Sequence, residues 1–167
     1  MTAPDLVEPV IGFRAWRVIA ERLTSPYIPV RWEGRLMHAE CYPANRNLVF
    51  GRGWLAEPHT SPDPRCRCGI YAYHRPHQAP YVGEFEWVTG VVSLWGRMEV
   101  HHEGLRAQHA RIEALAVQPG WGELRCARVR RIARGLAVEV VRHDELEDVG
   151  RRHGGPLPDT LRPAAAR

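Results

Sequence analysis

Cys41, His59, Cys66 and Cys68 constrain this chain more than any other residues in it. The last three fall in the run His59-Thr60-Ser61-Pro62-Asp63-Pro64-Arg65-Cys66-Arg67-Cys68. Three thiolates and one imidazole complete a tetrahedral zinc set. A single residue between Cys66 and Cys68 lets a tight turn aim both sulfurs at one ion, and Pro62 and Pro64 stiffen the approach from His59. Four protein ligands leave no open position, so the pattern points to structural Zn2+ rather than a catalytic site. Three cysteines and a histidine are also a possible set for an iron–sulfur cluster. Without metal, Cys41 reads as a core cysteine, His59 as a surface side chain and the Cys-x-Cys as a reduced pair.

The surrounding sequence gives such an ion something to do. Residues 43–65 contain Pro43, Gly51, Gly53, Pro58, Pro62 and Pro64, a density of breakers that means loop. A loop this long inside a folded unit needs an anchor, and zinc would supply it. The 167 residues suffice for one well-cored domain. No apolar run approaches the roughly 20 residues needed to cross a bilayer, so no membrane partner is expected. Residues 1–16 lack the charged start and apolar stretch of a secretory signal. The expectation is therefore a cytoplasmic protein, where reduced thiols favour metal over disulfides.

The pattern along the chain predicts an α+β fold with a mostly antiparallel sheet, a zinc-pinned loop, a short helix after the Cys-x-Cys turn and C-terminal helices. Residues 1–10 read as a lead-in, 11–154 as a single domain and 155–167 as a disordered tail. Gly12 to Ile19 is rich in aromatic and β-branched residues and predicts a first strand. A turn follows near Ser25-Pro26, and Arg35 to Tyr42 predicts a second strand carrying Cys41. Gly69 to Arg75 predicts two turns of helix, stopped by Pro76. Beyond it, Val92, Leu94, Met98 and Val100 alternate with Ser93, Trp95, Arg97 and Glu99, with Gly96 as a bulge candidate. A turn at residues 101–104 would return the chain as Leu105 to Val117. Cys126, Val129, Ile132, Ala133 and Leu136 then share one helical face, and residues 137–141 form a short β-prone run. Asp144 with Glu147 resembles a capping box opening a last helix that stops at Gly154.

Other groups carry weaker chemistry. The net charge is +4 with a pI near 9.2, and the 23 basic residues are all arginine. Arginine suits phosphate and carboxylate forks, although a GC-rich genome gives the same composition. Arg128, Arg130, Arg131 and Arg134 oppose the apolar face of their helix, and with Arg97 and Trp95 they form a candidate nucleic-acid-binding set. His74 and His77 flank Pro76. His101 and His102 lie in a turn near Glu99, a candidate acid–base group or second metal site. Cys126 belongs to an apolar face and reads as a small hydrophobe. The chain has no nucleophile elbow, no phosphate-binding glycine loop and no zinc-protease helix motif, and no catalytic residue is assigned.

The stretch H-x-x-P-x-x-x-C-x-C-G-I-Y-A over residues 59–72 resembles small proteins of actinobacteria and their phages. Gly12-Phe13-Arg14-Ala15-Trp16, Leu94-Trp95-Gly96-Arg97 and Gly104-Leu105-Arg106-Ala107 extend the resemblance over residues 12–117. It implies a zinc-binding α+β module with Cys41, His59, Cys66 and Cys68 as a unit, and no named activity. The expected role is a zinc-stabilised binding or adaptor module for a protein partner. Nucleic-acid binding and a zinc- or histidine-dependent enzyme are the competing readings.

Overall fold

In the computed structural model, which describes residues 9–41, 58–79 and 86–163, alternation of apolar side chains carries the longest elements. The strands among these residues are β1 (Val10–Ile19), β2 (Arg22–Thr24), β3 (Leu36–His38), β4 (Ile70–Tyr73), β5 (Trp87–Val100), β6 (Gly104–Val117), β7 (Glu139–Arg142) and β8 (Gly155–Pro156). Two α-helices, α1 (Glu123–Leu136) and α2 (Leu146–His153), follow the β5–β6 hairpin. The predicted lead-in through residue 8, residues 43–57 of the predicted loop and the last four residues lie outside the described residues.

The fold is α+β with a mostly antiparallel sheet, as the pattern predicts. β1 pairs with β5 along most of its length, β5 with β6, and β6 with β4. β4 returns to β1 through the single pair Phe13↔Tyr73. The pairings therefore form a closed circuit, and β4 is the strand that closes it. β7 joins β6 and β8 joins β1, both in parallel.

Period-two alternation sends most apolar residues of the long strands into two cores, with Ala15, Ala79 and Trp87 forming a third, smaller cluster. Val10 and Trp16 of β1, Val92 and Leu94 of β5, and Ile112 and Leu115 of β6 belong to one, covered by Val129, Ile132 and Ala133 of α1. Ile11, Phe13, Val91, Ala114 and Ala116 belong to the other, covered by Leu146 and Val149 of α2. The hairpin and the apolar face of α1 thus form as the spacing predicts. Gly96 is a bulge, with φ +79° and a register shift between Trp95 and Met98. A Cβ there would lie 2.7 Å from the His109 ring.

Four expectations are corrected. Residues 69–75 are not helical: Ile70–Tyr73 is a strand. So short a helix has little stability of its own, whereas β1 and β6 offer backbone partners on both sides. Ile70 and Ala72 then enter the main core, 5% and 3% exposed. The short helix predicted over these residues is thus absent, and a single 3₁₀ turn, Pro76–Gln78, begins where that helix was expected to stop. The second strand is only Leu36–His38, although the Ala39 N–H still donates to Gln108 O at 2.7 Å. Before the last helix, the Arg142 N–H donates to Glu145 Oε2 at 2.8 Å and opens a 3₁₀ turn at His143–Glu145, while α2 itself starts after Glu145 without the Asp144–Glu147 capping box. The start of the predicted tail joins the fold, because Gly155 and Pro156 pair with β1 and Leu157 is 1% exposed. Among the described residues, no helix is long and apolar enough to cross a membrane.

A second bulge, between Val91 and Val92, makes Glu113 the extra residue of β6. Its fully buried carboxylate accepts from Ser93 Oγ at 2.5 Å, Arg111 Nε at 2.7 Å and Arg35 Nη2 at 2.7 Å. Burial pushes this carboxyl up, but the three hydrogen bonds outweigh burial and hold it below its ordinary value. A depressed carboxyl stabilises the fold at neutral pH and loses that contribution as pH falls through its folded value. The stability gap between the parent and Glu113→Gln should therefore be widest near neutral pH and narrow as acid is added. Urea unfolding across that range checks this; a gap independent of pH would refute it.

Ala137 caps α1 in the left-handed region, with φ 54° and ψ 45°, and is exposed. A Cβ is disfavoured there, and Ala137→Gly should raise stability by about 0.5–1 kcal/mol, read as a higher denaturation midpoint.

Candidate metal centre

The four sequence-predicted ligands come from three segments. Cys41 lies just beyond β3, His59 in the loop before the turn, and Cys66 and Cys68 in the turn that leads into β4. Asp63 shapes that turn. Its carbonyl accepts from the Cys66 N–H at 2.9 Å, and its carboxylate from the Arg65 N–H at 2.8 Å. The Arg65 side chain also bonds the carboxylate, and together these bonds hold the Asp63 carboxyl below its usual range. Gly69 turns the chain from Cys68 into β4 at φ +122°, a conformation that favours glycine. A Cβ there would sit 3.1 Å from both Arg106 Cβ and Pro62 Cβ.

One ligand atom from each of Cys41, His59, Cys66 and Cys68 lies within 4.8 Å of the others. Cys41 Sγ is 3.8 Å from Cys66 Sγ, and His59 Nε2 is 3.3 Å from Cys68 Sγ. No disulfide joins the cysteines. Cys66 and Cys68 are 3% and 2% exposed, so their sulfurs are shielded from water. Burial pushes the Cys68 thiol up, the Ser61 hydroxyl and Asp63 backbone pull it down, and neighbouring Cys66 pushes it up again. The group could hold a metal ion, in which case the cation would displace the thiol protons.

Arg106 of β6 is the residue that sequence reasoning missed. It is 4% exposed, and its Nη1 donates to Cys66 O and, at 2.9 Å, to Cys68 O. Its Nη2 makes an ion pair with Glu99 of β5, and its guanidinium lies 5.6 Å from the Tyr71 ring centroid. One side chain thus fastens both cysteine carbonyls to the hairpin. In the sequence it is one arginine in an alternating strand, where a charged side chain ordinarily faces water; only its place in the resemblance stretch singled it out.

The remaining candidates do not join this group. Cys126 lies apart from it, 3.8 Å from Trp121 O. His101 Nε2 is 3.9 Å from Glu99, but that carboxylate is engaged by Arg106. His102 Nδ1 lies 3.4 Å from Pro163 O, and His74 Nε2 3.1 Å from His101 O. On α1, Arg128 pairs with Glu86, Arg130 with Glu123 at 3.6 Å and Arg131 with Glu21 at 2.6 Å, while Arg134 is exposed. Trp95 is half-buried and stacks on His109 at 5.6 Å, and exposed Arg97 donates its N–H to Gln108 Oε1 at 3.2 Å.

The chain has no significant match to a family of known proteins, to a curated protein or to a solved structure.

Removing Arg106 would strand the Glu99 carboxylate and the two cysteine carbonyls. Arg106→Met should cost about 3 kcal/mol, the scale for breaking one side of a buried pair. Loss of a group that orients ligands should also weaken metal binding by about ten-fold or more. Adding Glu99→Gln should recover part of the stability and little of the metal affinity. Denaturation midpoints and chelator competition on the two variants measure both effects, and an unchanged midpoint in Arg106→Met would refute the bracing role.

Proposed function

We propose that this chain is a binding module whose fold is stapled by one structural zinc ion on Cys41, His59, Cys66 and Cys68. The supporting observation is the size of the ligand group. A tetrahedron with zinc–sulfur bonds of about 2.3 Å has sulfur–sulfur edges of about 3.8 Å and sulfur–nitrogen edges of about 3.5 Å. Two of the six separations, Cys41 to Cys66 at 3.8 Å and His59 to Cys68 at 3.3 Å, match these edges, and all six lie within 4.8 Å. Soft thiolates favour zinc or iron over magnesium and calcium. A two-iron cluster would spread the ligands over two ions, whereas these four atoms converge within 4.8 Å.

Four protein ligands fill a tetrahedral ion, so its contribution is to folding rather than to bond making. The ion would tie the segment after β3 to the strand that closes the sheet. Such a staple suits a module that presents a fixed surface to a protein or small-molecule partner. The ion pairs on Arg128, Arg130 and Arg131 take up charge that a nucleic-acid backbone would need, and we rank nucleic acid below the other partners. A reducing compartment such as the cytoplasm fits a site that needs thiolates.

The test is metal content per chain on protein purified without added metal or chelator. The parent should carry about one zinc, whereas Cys68→Ser should lose it and unfold at a clearly lower denaturant concentration. Bound iron would replace zinc in this reading. A metal-free parent that is as stable as Cys68→Ser would end it.

A further inference from the structure

We infer that the cavity walled by Arg14 binds a small organic oxyanion, a carboxylate or phosphate carried on an apolar body. The inference deepens the binding-module reading and rests on it. The cavity encloses about 810 Å³ between β1, the segment from Ser25 to Trp32, β3 and the stretch Arg67–Tyr73. That volume falls in the range of small-molecule sites, roughly 300–1,000 Å³. Its ligand class follows from how Arg14 is held.

Arg14 is 6% exposed. Its Nη1 donates to Tyr71 O and its Nη2 to Ser25 Oγ at 3.1 Å, both residues of the cavity wall. Those acceptors are neutral, and among the described residues Nε has no acceptor and no carboxylate pairs with the guanidinium. The ring centroids of Trp32 and Trp16 lie 5.4 Å and 5.9 Å from the guanidinium carbon, offering partial compensation through their π faces. Burial lowers the Arg14 pKa to about 10, so the group remains a cation at neutral pH. A buried cation without a carboxylate partner is unfavourable. A ligand oxyanion would supply the missing charge, and a guanidinium retains donors to receive it.

The rest of the wall suits the body of such a ligand. Ile28, Val30, Met37 and Trp32 give it an apolar lining. Tyr27 stands 57% exposed on this wall, with Tyr73 beside it in the lining. Burial pushes Tyr73 up to about 12, which keeps its phenol neutral and able to donate. Arg67 adds a second, exposed cation, against Glu40 as the acidic group of the described lining. Few polar groups converging in an apolar cavity is the pattern of a specific small-molecule site.

Calorimetric titration of the full chain, with metal content measured on the same sample, tests this. The probes are indole-3-acetate and phenyl phosphate, with indole and phenol as uncharged counterparts. At least one anion should bind about ten-fold or more tightly than its uncharged counterpart, and the tighter of the two identifies the headgroup. Arg14→Gln should erase that preference at unchanged metal content. Met37→Trp, which narrows the cavity and leaves Arg14 in place, should lose both anions, covering the case in which Arg14→Gln fails to fold. Anions that bind no tighter than indole and phenol overturn the inference, as does parent-like anion binding by the folded variants. One zinc per chain without anion preference sinks the cavity alone, whereas anion binding by a metal-free parent sinks the zinc staple alone.

Discussion

The grip of Arg106 on the carbonyls of Cys66 and Cys68 is the contact through which the ligand loop and the sheet become one structure. β4 closes the circuit of strands but is only four residues long and meets β1 through a single pair. Its position depends on what precedes it, a turn rich in proline and arginine with little apolar surface of its own. Arg106 fixes that turn from β6, the strand with which β4 makes four pairs. The ion pair with Glu99 holds the guanidinium from the other arm of the hairpin. Loop, closing strand and hairpin therefore share one buried charge.

Charge balance makes the same side chain suited to a metal. Three thiolates around a divalent cation leave one excess negative charge, and they would sit where water is largely excluded. The guanidinium bonded to the backbone of Cys66 and Cys68 would lie beside that charge, and because Glu99 pairs with it the local sum would stay at one negative charge. In the absence of metal the balance reverses: burial and the neighbouring sulfur favour a protonated Cys68. Under the zinc reading, the metal, rather than the apolar core, determines whether this corner of the fold is held in place.

The cavity and the ligand group share a wall. Cys68, Gly69, Ile70 and Tyr71 line the cavity, and Tyr71 uses its two sides differently. Its carbonyl accepts from Arg14, while its ring lies beside Arg106 and its hydroxyl donates to Arg67 O at 2.8 Å. A proposed staple at one end of β4 would thus set the geometry of a proposed binding surface along its length, without itself contacting a ligand.

The convergent Cys/His group and the long elements were legible in the sequence for local reasons. Cys66 and Cys68 declare themselves by residue type and spacing, because few roles need that chemistry together. The hairpin and α1 follow from periodicities of two and 3.6, which depend only on backbone geometry and the need to bury one face. β4 was illegible because four residues carry too little periodicity to separate strand from helix, and neighbouring edges decided the matter. Glu113 and Arg14 were illegible for a related reason. A bulge turns Glu113 into the interior, and a fold around β1 encloses Arg14, whereas a charged residue in a strand ordinarily reads as solvent-facing. What the sequence by itself determined is therefore which segments must bury apolar surface and which side chains can share an ion. Which charges lie inside was decided only by the tertiary structure, since burial of a charge depends on partners brought from distant parts of the chain.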